Sequence, residues 1–444
     1  MRIFMVSHGY PPILSGVTLV VQKIARAMVR KGHEVVVVTA SEHGEPYEDR
    51  DQGVRLIRVR SASNPFWDDG PIPFLSQSDL DEMVGEFDPH VLHAHDAAIL
   101  GLQLLRLNQK QDLPHLATAY YVPRFVARYL TWNEEPQEVV ESLFWAYSTW
   151  LFNRFDHVVF ATQAHRDRFL KRDLDVPTSI ISNGIDTSRY RPLNDHTEDL
   201  QTKYELPPGP RILFVSRLAQ DKEIDVLIQA MQHIRARGQA HLLLVGEGDN
   251  RDELERLTQE SDLEDCLHFL GFVPEEDLPA LYRASDLFAI ASTCEVQSLP
   301  TLQAVATGLP VVAADAVALP ELVHDGINGF LVPPGDPEAM ANAIGHILAD
   351  RSLAAQMGQA SLSIAQPHAE ERTFEAYENL CLRLVNRQFA HHPQQSRRSG
   401  GRAHHGRLHP GRRRSGGLRG PVADRIGTGR HRPGADHAAW SGLC

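Results

Sequence analysis

Residues 286–315, DLFAIASTCEVQSLPTLQAVATGLPVVAAD, contain two short apolar runs, LFAI and PVVAA, separated by a loop and a helical stretch. Pro300 is typical of the first turn of a helix, and Gly308 is typical of a helix end. The segment therefore predicts a strand, a loop that contains Glu295, a helix and a second strand. In such a βαβ unit the two strands lie parallel in one sheet.

The same alternation of apolar runs and amphipathic helical stretches continues over most of the chain. It predicts two series of strands, and strands separated by helices imply right-handed parallel units. We therefore predict an α/β protein with two Rossmann-like, doubly wound domains that face a central cleft. The predicted strands lie in RIFMVS, EVVVVTA, VRLIRV, HVLHAH, HLATAYY and HVVFATQ of the first series, and in RILFVS, HLLLVGEG, LHFLGFV, DLFAIAS, PVVAADA and GFLVPP of the second.

The chain divides into four predicted segments. An N-terminal domain covers residues 1–182, and a C-terminal domain covers 183–370 after an Asn-Gly turn at its start. Residues 371–390 predict a helix that reaches back to the N-terminal domain. Residues 391–444 contain eleven Arg, two Asp and no Lys or Glu, without periodic apolar residues. We predict that this last segment is disordered, with a basic arm for anionic lipid or nucleic acid as the alternative.

Charge and composition exclude several classes of function. The net charge is −13, and because residues 391–444 carry +9, the preceding residues carry −22. An acidic body is unsuited to binding phosphates of nucleic acid, so we expect no nucleic-acid partner. We see no secretory signal pattern and no apolar run of the roughly 18 residues that a spanning helix needs. The four scattered cysteines favour neither a disulfide framework nor a zinc site. We expect a cytoplasmic protein.

Two groups of residues are candidates for binding a diphosphate. Ser15 and Gly16 follow the first strand, where small residues let a diphosphate approach the amides at a helix start. A tight turn without a ligand is the alternative. Arg217 and Lys222 follow a strand of the second series, at the edge where open α/β folds bind ligands. A guanidinium and an ammonium suit a pyrophosphate, the alternative being two solvated surface charges.

Ordered signatures over residues 1–385 identify the chain as similar to glycosyltransferase family 4, a retaining family with the GT-B fold. They are YPPILSG with RKGHEVVVVT, ISNGIDTSRYRP, SRLAQDK, LLLVGEGDNRDELE, FLGFV, LYRASDLFAIAS and CEVQSLPTLQAVATGLPVVA. EVQS and ATAYYVPRFVARYL resemble the diacylglycerol glucosyltransferase-like branch most closely. The resemblance implies transfer of a hexose from a UDP- or GDP-linked sugar to a hydroxyl acceptor, such as a glycolipid or a cell-envelope glycan, with the anomeric configuration retained.

The resemblance also implies a role for each matching residue. Glu295 matches the catalytically important first glutamate of a paired motif, and Gln303 stands where the second glutamate binds the ribose. The other implied roles are the donor diphosphate for Gly16, Arg217 and Lys222, the donor sugar and phosphate loop for Val296, Gln297, Ser298 and Leu299, the nucleobase for Phe272 and Val273, and the acceptor side for His95, Asp96 and Tyr120. Tyr120 replaces a histidine of the family, and Ser15 replaces a glycine.

Other interpretations remain open at this point. Gln303 and Tyr120 are compatible with a catalytically impaired paralogue that binds nucleotide sugars. A nicotinamide oxidoreductase is suggested by one glycine-rich turn, VGEGDNRDEL, which lacks the third glycine. His93 and His95 share a strand face and suggest a metal pair, but polar groups at a strand end are the alternative. We expect no metal and no cofactor besides the nucleotide-sugar donor, which is a substrate.

Residues 125–155 are unusually aromatic and include three of the five tryptophans. Amphipathic rings suit a membrane interface or a lipid acceptor groove, so peripheral membrane contact is one prediction. Ordinary packing between long helices is the other.

Overall fold

The computed structural model describes residues 1–391, except 14, 65–69, 96–98, 124–133, 194–196, 237 and 239. Asp96, Tyr129, Trp132 and the tail from residue 392 lie outside the described residues. The helices are α1 (Gly16–Arg30), α2 (Gln77–Phe87), α3 (Ile99–Gln111), α4 (Glu134–Phe152), α5 (Gln163–Leu170), α6 (Thr197–Lys203), α7 (Ile224–Arg235), α8 (Arg251–Glu260), α9 (Leu278–Arg283), α10 (Leu299–Thr307), α11 (Pro337–Ala349), α12 (Arg351–Ala365) and α13 (Glu370–His391).

The strands form two larger sheets and one short pair. They are β1 (Arg2–Val6), β2 (Glu34–Ala40), β3 (Tyr47–Asp51), β4 (Val54–Val59), β5 (Ser61–Ala62), β6 (Ile72–Pro73), β7 (Val91–Ala94), β8 (His115–Ala119), β9 (His157–Phe160), β10 (Thr178–Ile180), β11 (Arg211–Val215), β12 (His241–Val245), β13 (Leu267–Gly271), β14 (Leu287–Ile290), β15 (Val311–Ala314) and β16 (Gly329–Val332).

Each larger sheet is doubly wound. The first has the order β10-β9-β8-β7-β1-β2-β4-β3, and the second has the order β13-β12-β11-β14-β15-β16. The described pairings are parallel except for β3 with β4 and β5 with β6. The strand order reverses between β1 and β7 in the first sheet and between β11 and β14 in the second. Ligands of open α/β folds bind at such switch points, outside the carboxyl ends of the strands.

Residues 286–315 fold as their sequence predicts, with a strand, a loop, a helix and a second strand. Ser298 is the N-cap of α10, and its Oγ accepts a hydrogen bond from the Thr301 amide at 3.2 Å. The helix ends at Gly308, whose φ of +84° lies in the left-handed region that glycine tolerates best. The chain then returns as β15, which pairs in parallel with β14. The loop between β14 and α10 therefore lies at the switch point of the second sheet.

The C-terminal helix packs on the first domain. Phe374, Tyr377 and Leu384 of α13 belong to the same buried apolar cluster as residues of β1, β2 and α1. The linker runs beside the start of this helix, since the Ile185 amide donates to His368 O at 2.8 Å and the Glu370 amide donates to Ile185 O at 3.0 Å. The chain thus crosses between the domains twice at one place. The domain boundaries given above stay predictions.

Candidate active site

Four ionisable side chains gather at the switch point of the second sheet, and we call Arg217, Asp221, Lys222 and Glu295 the charged cluster. Lys222 Nζ lies 2.9 Å from Glu295 Oε1 and 3.2 Å from Asp221 Oδ2. Arg217 Nη2 lies 4.0 Å from Asp221 Oδ1. None of the four side chains is more than 11% exposed. Sequence reasoning found three of them but missed Asp221.

The geometry argues against the alternative that Arg217 and Lys222 are solvated surface charges. Both side chains are nearly buried, and burial of a cation is costly unless it is paired. The structure pairs Lys222 with two carboxylates from the segments that follow β11 and β14. Alternating positive and negative charges at the edge of a cleft can hold a diphosphate on one side and a polarised sugar on the other.

The loop from Val296 to Leu299 lies where the two domains meet. The Val296 side chain packs on the first-domain core, and its carbonyl oxygen accepts a hydrogen bond from Thr162 Oγ1 at 2.8 Å. The Gln297 side chain accepts a hydrogen bond from the Asn183 amide at 2.7 Å and contacts Ser182. Leu299 packs against the cores of both domains. That this loop also meets the donor sugar and phosphate stays a prediction.

Gly16 opens α1 next to a fully formed capping box. Ser15 Oγ accepts a hydrogen bond from the Thr18 amide at 3.2 Å, and Thr18 Oγ1 accepts one from the Ser15 amide at 2.8 Å. The serine in place of the family's first glycine therefore stabilises the helix start. Sequence reasoning missed Arg58, a buried arginine that donates to the Tyr10 carbonyl oxygen of the preceding loop at 3.3 Å. Diphosphate binding at Gly16 stays a prediction.

A second group of polar side chains lies at the carboxyl ends of β7 and β8, and we call it the neutral cluster. Its members are His93, His95, Thr118, Tyr120 and Tyr377. His93 Nε2 lies 2.8 Å from Thr118 Oγ1, and His95 Nδ1 lies 2.9 Å from Tyr120 Oη. Thr118 Oγ1 lies 3.3 Å from Tyr377 Oη of α13. Sequence reasoning missed Tyr377 because it is far along the chain.

Burial keeps this second cluster uncharged. It lowers the pKa of His93 to about 3 and, together with the neighbouring His93, holds the pKa of His95 well below its usual value. Burial also raises the pKa of the Tyr120 phenol well above its usual value. At neutral pH, His95 and Tyr120 are therefore both neutral and can form only hydrogen bonds without a charge. Their position on the acceptor side stays a prediction.

The predicted ribose and nucleobase residues lie on two elements of the second domain. Gln303 is half-buried on α10, and its Oε1 accepts a hydrogen bond from Tyr282 Oη at 2.8 Å. Phe272 is 38% exposed after β13, whereas Val273 is buried. The Gln303 amide is thus already oriented by a buried tyrosine. Contacts of these three residues with a nucleotide stay predictions.

The described part of the aromatic stretch is partly buried in the core and partly exposed. Trp145 and Phe152 of α4 are buried in the first-domain core. Val139, Leu143 and Trp150, on the outer side of the same helix, are 62%, 65% and 44% exposed. Among the described residues, no helix is long and apolar enough to cross a membrane.

The histidine pair of β7 and its carboxyl end is the candidate metal pair. His93 and His95 have ring centroids 3.7 Å apart, and each contacts a hydroxyl group. Within the described ranges, no group of three or more His, Cys, Asp or Glu side chains is placed to hold a metal ion. The contacts of the two histidines favour the interpretation as polar groups at a strand end.

One link between the domains had no signal in the sequence. The Glu321 carboxylate accepts hydrogen bonds from the amides of Gln163 and Ala164 at 3.0 and 2.6 Å. These amides are the first of α5, where a helix has unsatisfied donors and a positive dipole end. A carboxylate of the second domain thus caps a helix of the first.

Two family models match most of the described chain. The model described as Glycosyltransferase Family 4 matches residues 14–189, and the model described as Glycosyl transferases group 1 matches residues 209–350. The chain belongs to glycosyltransferase family 4. The predicted family is therefore confirmed, and the protein is a glycosyltransferase.

Two relatives illustrate the range of this family. The glycosyltransferase is 29% identical to the GDP-mannose-dependent alpha-(1-6)-phosphatidylinositol monomannoside mannosyltransferase of Mycolicibacterium smegmatis, with 83% of this chain and 95% of the relative covered. It is 23% identical to the alpha-monoglucosyldiacylglycerol synthase of Streptococcus pneumoniae, with 74% and 75% covered.

Solved structures share the fold. Sucrose-phosphate synthase of Thermosynechococcus elongatus superposes with a TM-score of 0.73 at 24% identity, covering 87% of this chain and 99% of its own. Anabaena HepE in complex with UDP-glucose superposes with a TM-score of 0.69 at 22% identity, covering 86% and 99%. The GT-B prediction is confirmed.

Proposed function

We propose that this glycosyltransferase moves a hexose from a nucleoside diphosphate sugar to a hydroxyl acceptor and retains the anomeric configuration. In this reaction the bond from the anomeric carbon to the diphosphate oxygen breaks, and the acceptor oxygen forms a new bond on the same face of the sugar. The acceptor hydroxyl gives its proton to the departing nucleoside diphosphate, which then leaves.

The observation that carries the proposal is the buried ion pair of Lys222 with Glu295, beside Arg217. Two cations at the switch point suit the negative charge that develops on the departing diphosphate. The Glu295 carboxylate suits the positive charge that develops on the sugar ring. We place the ribose at Gln303 and the nucleobase at Phe272 and Val273.

The relatives support the proposed donor and acceptor classes. One relative is named GDP-mannose-dependent, and HepE was solved with UDP-glucose, so both bases are candidates. The names of both relatives contain a glycolipid, phosphatidylinositol monomannoside in one and monoglucosyldiacylglycerol in the other. A glycolipid or a cell-envelope glycan is accordingly the proposed acceptor, and the neutral hydrogen-bonding groups His95 and Tyr120 suit a hydroxyl.

The test is a thermal-shift panel of nucleotides and nucleotide sugars, since a ligand that binds only the folded state raises the Tm. The donor that shifts the Tm is then incubated with lipid and glycan acceptors while release of nucleoside diphosphate is measured. The anomeric configuration of the product is read by NMR. An inverted product contradicts retention, and binding without release at any acceptor contradicts transfer.

We also propose that the exposed apolar side of α4 contacts a membrane that carries the acceptor. Val139, Leu143 and Trp150 would enter the interface with their apolar parts. Glu138 is exposed on the same helix, so binding should not require anionic lipid. Leu143→Glu should reduce co-sedimentation with neutral phosphatidylcholine vesicles. The same change at exposed Leu170 is the control, and equal binding of all three proteins contradicts the proposal.

A further inference from the structure

The turn that carries Lys222 and the loop that carries Glu295 are joined by contacts of three successive residues of the turn. Besides the ion pair of Lys222 with Glu295, Ser292 Oγ donates a hydrogen bond to the Asp221 carbonyl oxygen at 3.2 Å. Thr293 Oγ1 donates a hydrogen bond to the Glu223 carboxylate. Three consecutive residues of the turn thus hold a loop that lies about seventy positions later in the chain.

Glu223 occupies a backbone conformation that its residue type disfavours. Its φ of 50° and ψ of 43° lie in the left-handed region, where a residue with a Cβ is strained and glycine is not. It precedes α7 as the N-cap, but its side chain makes no capping hydrogen bond. The hydrogen bond from Thr293 across the turn gives a reason for a glutamate here.

We call the contacts of Lys222 with Glu295 and of Glu223 with Thr293 the first and second tether of the loop. The two tethers differ in their response to a bound donor. A diphosphate bound by Lys222 competes with Glu295 for the same ammonium group, because that group can satisfy only a few acceptors at once. The hydrogen bond between Thr293 and Glu223 involves neither Lys222 nor Glu295. This second tether can therefore hold the loop in place while the first is being exchanged.

We propose that Glu223 is a positioning residue for transfer: through Thr293 it keeps the Glu295 carboxylate aligned with the donor sugar when Lys222 turns to the diphosphate. This inference rests on the proposed function, because it needs Glu295 at the sugar. It predicts that the loss of Glu223 affects turnover more than nucleotide binding, since a misalignment near 1 Å can cost as much as about a hundredfold in rate.

The experiment compares Glu223→Gly, Glu223→Gln and Thr293→Val with the wild-type protein. Glu223→Gly should lower kcat about ten- to a hundredfold while the Kd of the nucleoside diphosphate changes less than about twofold. Its Tm should not fall, since glycine relieves the left-handed backbone. Glu223→Gln retains an acceptor oxygen and should retain most of the turnover. Thr293→Val should lower kcat as Glu223→Gly does, and the double variant should be no worse than either single one.

A matched control exists on the same chain. Glu205 has a φ of 49° and is exposed, so Glu205→Gly makes the same chemical change at nearly the same φ. Its kcat should equal that of the wild type. Undiminished kcat in Glu223→Gly, or additive losses in the double variant, overturns the inference. Parallel loss of kcat, nucleotide binding and Tm also overturns it, since that pattern indicates a structural role. A wild-type protein without transfer overturns the proposed function and this inference together.

Discussion

The charged cluster and the neutral cluster lie at the carboxyl ends of strands in different domains, and they solve the problem of burial in opposite ways. In the first, Lys222 lies within 3.2 Å of two carboxylates, so that buried charges compensate one another. In the second, burial removes the charge from His93 and His95 altogether. The difference would suit the two proposed substrates. A diphosphate donor is recognised by charge, whereas a hydroxyl acceptor needs only neutral hydrogen bonds.

The comparison is tested most strongly by removing the negative charge of Glu295. We expect Glu295→Gln to lower kcat about 10²- to 10³-fold, because a carboxylate stabilises positive charge in the transition state far better than an amide. Lys222 keeps Asp221 as a partner, so the Tm should change little. Steady-state kinetics with the preferred donor measure the effect. Glu338→Gln, at an exposed carboxylate on α11, is the control, and near-wild-type turnover in Glu295→Gln contradicts the assignment.

The second prediction concerns the cations of the same cluster. Arg217→Gln should weaken binding of the nucleoside diphosphate by about 1.5–3 kcal/mol, the usual contribution of a charge-assisted hydrogen bond. Binding of the free nucleoside should be almost unchanged, since it has no phosphate. Calorimetry with both ligands measures the difference, and Arg235→Gln on α7 is the control. Equal losses for both ligands would show that Arg217 does not contact phosphate.

The third prediction tests the neutrality of the other cluster. In the unfolded state a histidine takes up a proton below about pH 6.5. In the folded state His93 takes up a proton only when the pH approaches its pKa of about 3. The unfolded state therefore binds more protons between these values, so the free energy of unfolding falls on acidification by up to about 1.4 kcal/mol per pH unit.

His93→Asn should remove that part of the slope. Urea unfolding at pH 6.0, 5.5 and 5.0 measures it, and His43→Asn, at an exposed histidine, is the control. A variant with the slope of the wild type would mean that His93 is charged in the folded state.

The smallest expected effect concerns Gln303. Tyr282 Oη already donates to its Oε1, so a glutamate would retain this bond and offer a second, charged oxygen to the ribose. Gln303→Glu should tighten binding of the nucleoside diphosphate by about 1 kcal/mol, or about fivefold. The gain should vanish with a 2′,3′-dideoxy analogue. Unchanged affinity for the ribonucleotide would place Gln303 away from the ribose.

Much of the fold was predictable because buried parallel strands are continuous apolar runs. Each predicted segment contains a strand, as RILFVS contains β11 and PVVAADA contains β15. The strands that escaped prediction lack this signal. Tyr47–Asp51, YEDRD, has five polar or amphipathic residues and forms an antiparallel edge through its pairing with β4. Its place in the sheet depends on that neighbour more than on its own composition.

The candidate site was predictable only as far as the ends of strands. Lys222 and Glu295 could be placed at one sheet edge because both follow parallel strands. Their ion pair could not, and neither could the contacts of Glu223 and Glu321, which join residues 70 and 157 positions away. No local pattern marks a glutamate that caps a helix of another domain. Such partners are fixed by the packing of the two domains.

The return of α13 to the first domain has a consequence for synthesis of the chain. A ribosome releases the N-terminal segment first, but Phe374, Tyr377 and Leu380, which close its apolar cluster over α1, are made after the whole second domain. At 5–20 residues per second, the roughly 190 intervening residues take about 10–40 seconds. During that interval an apolar surface beside α1 stays open to water or to a chaperone. The domain that is begun first is therefore completed last.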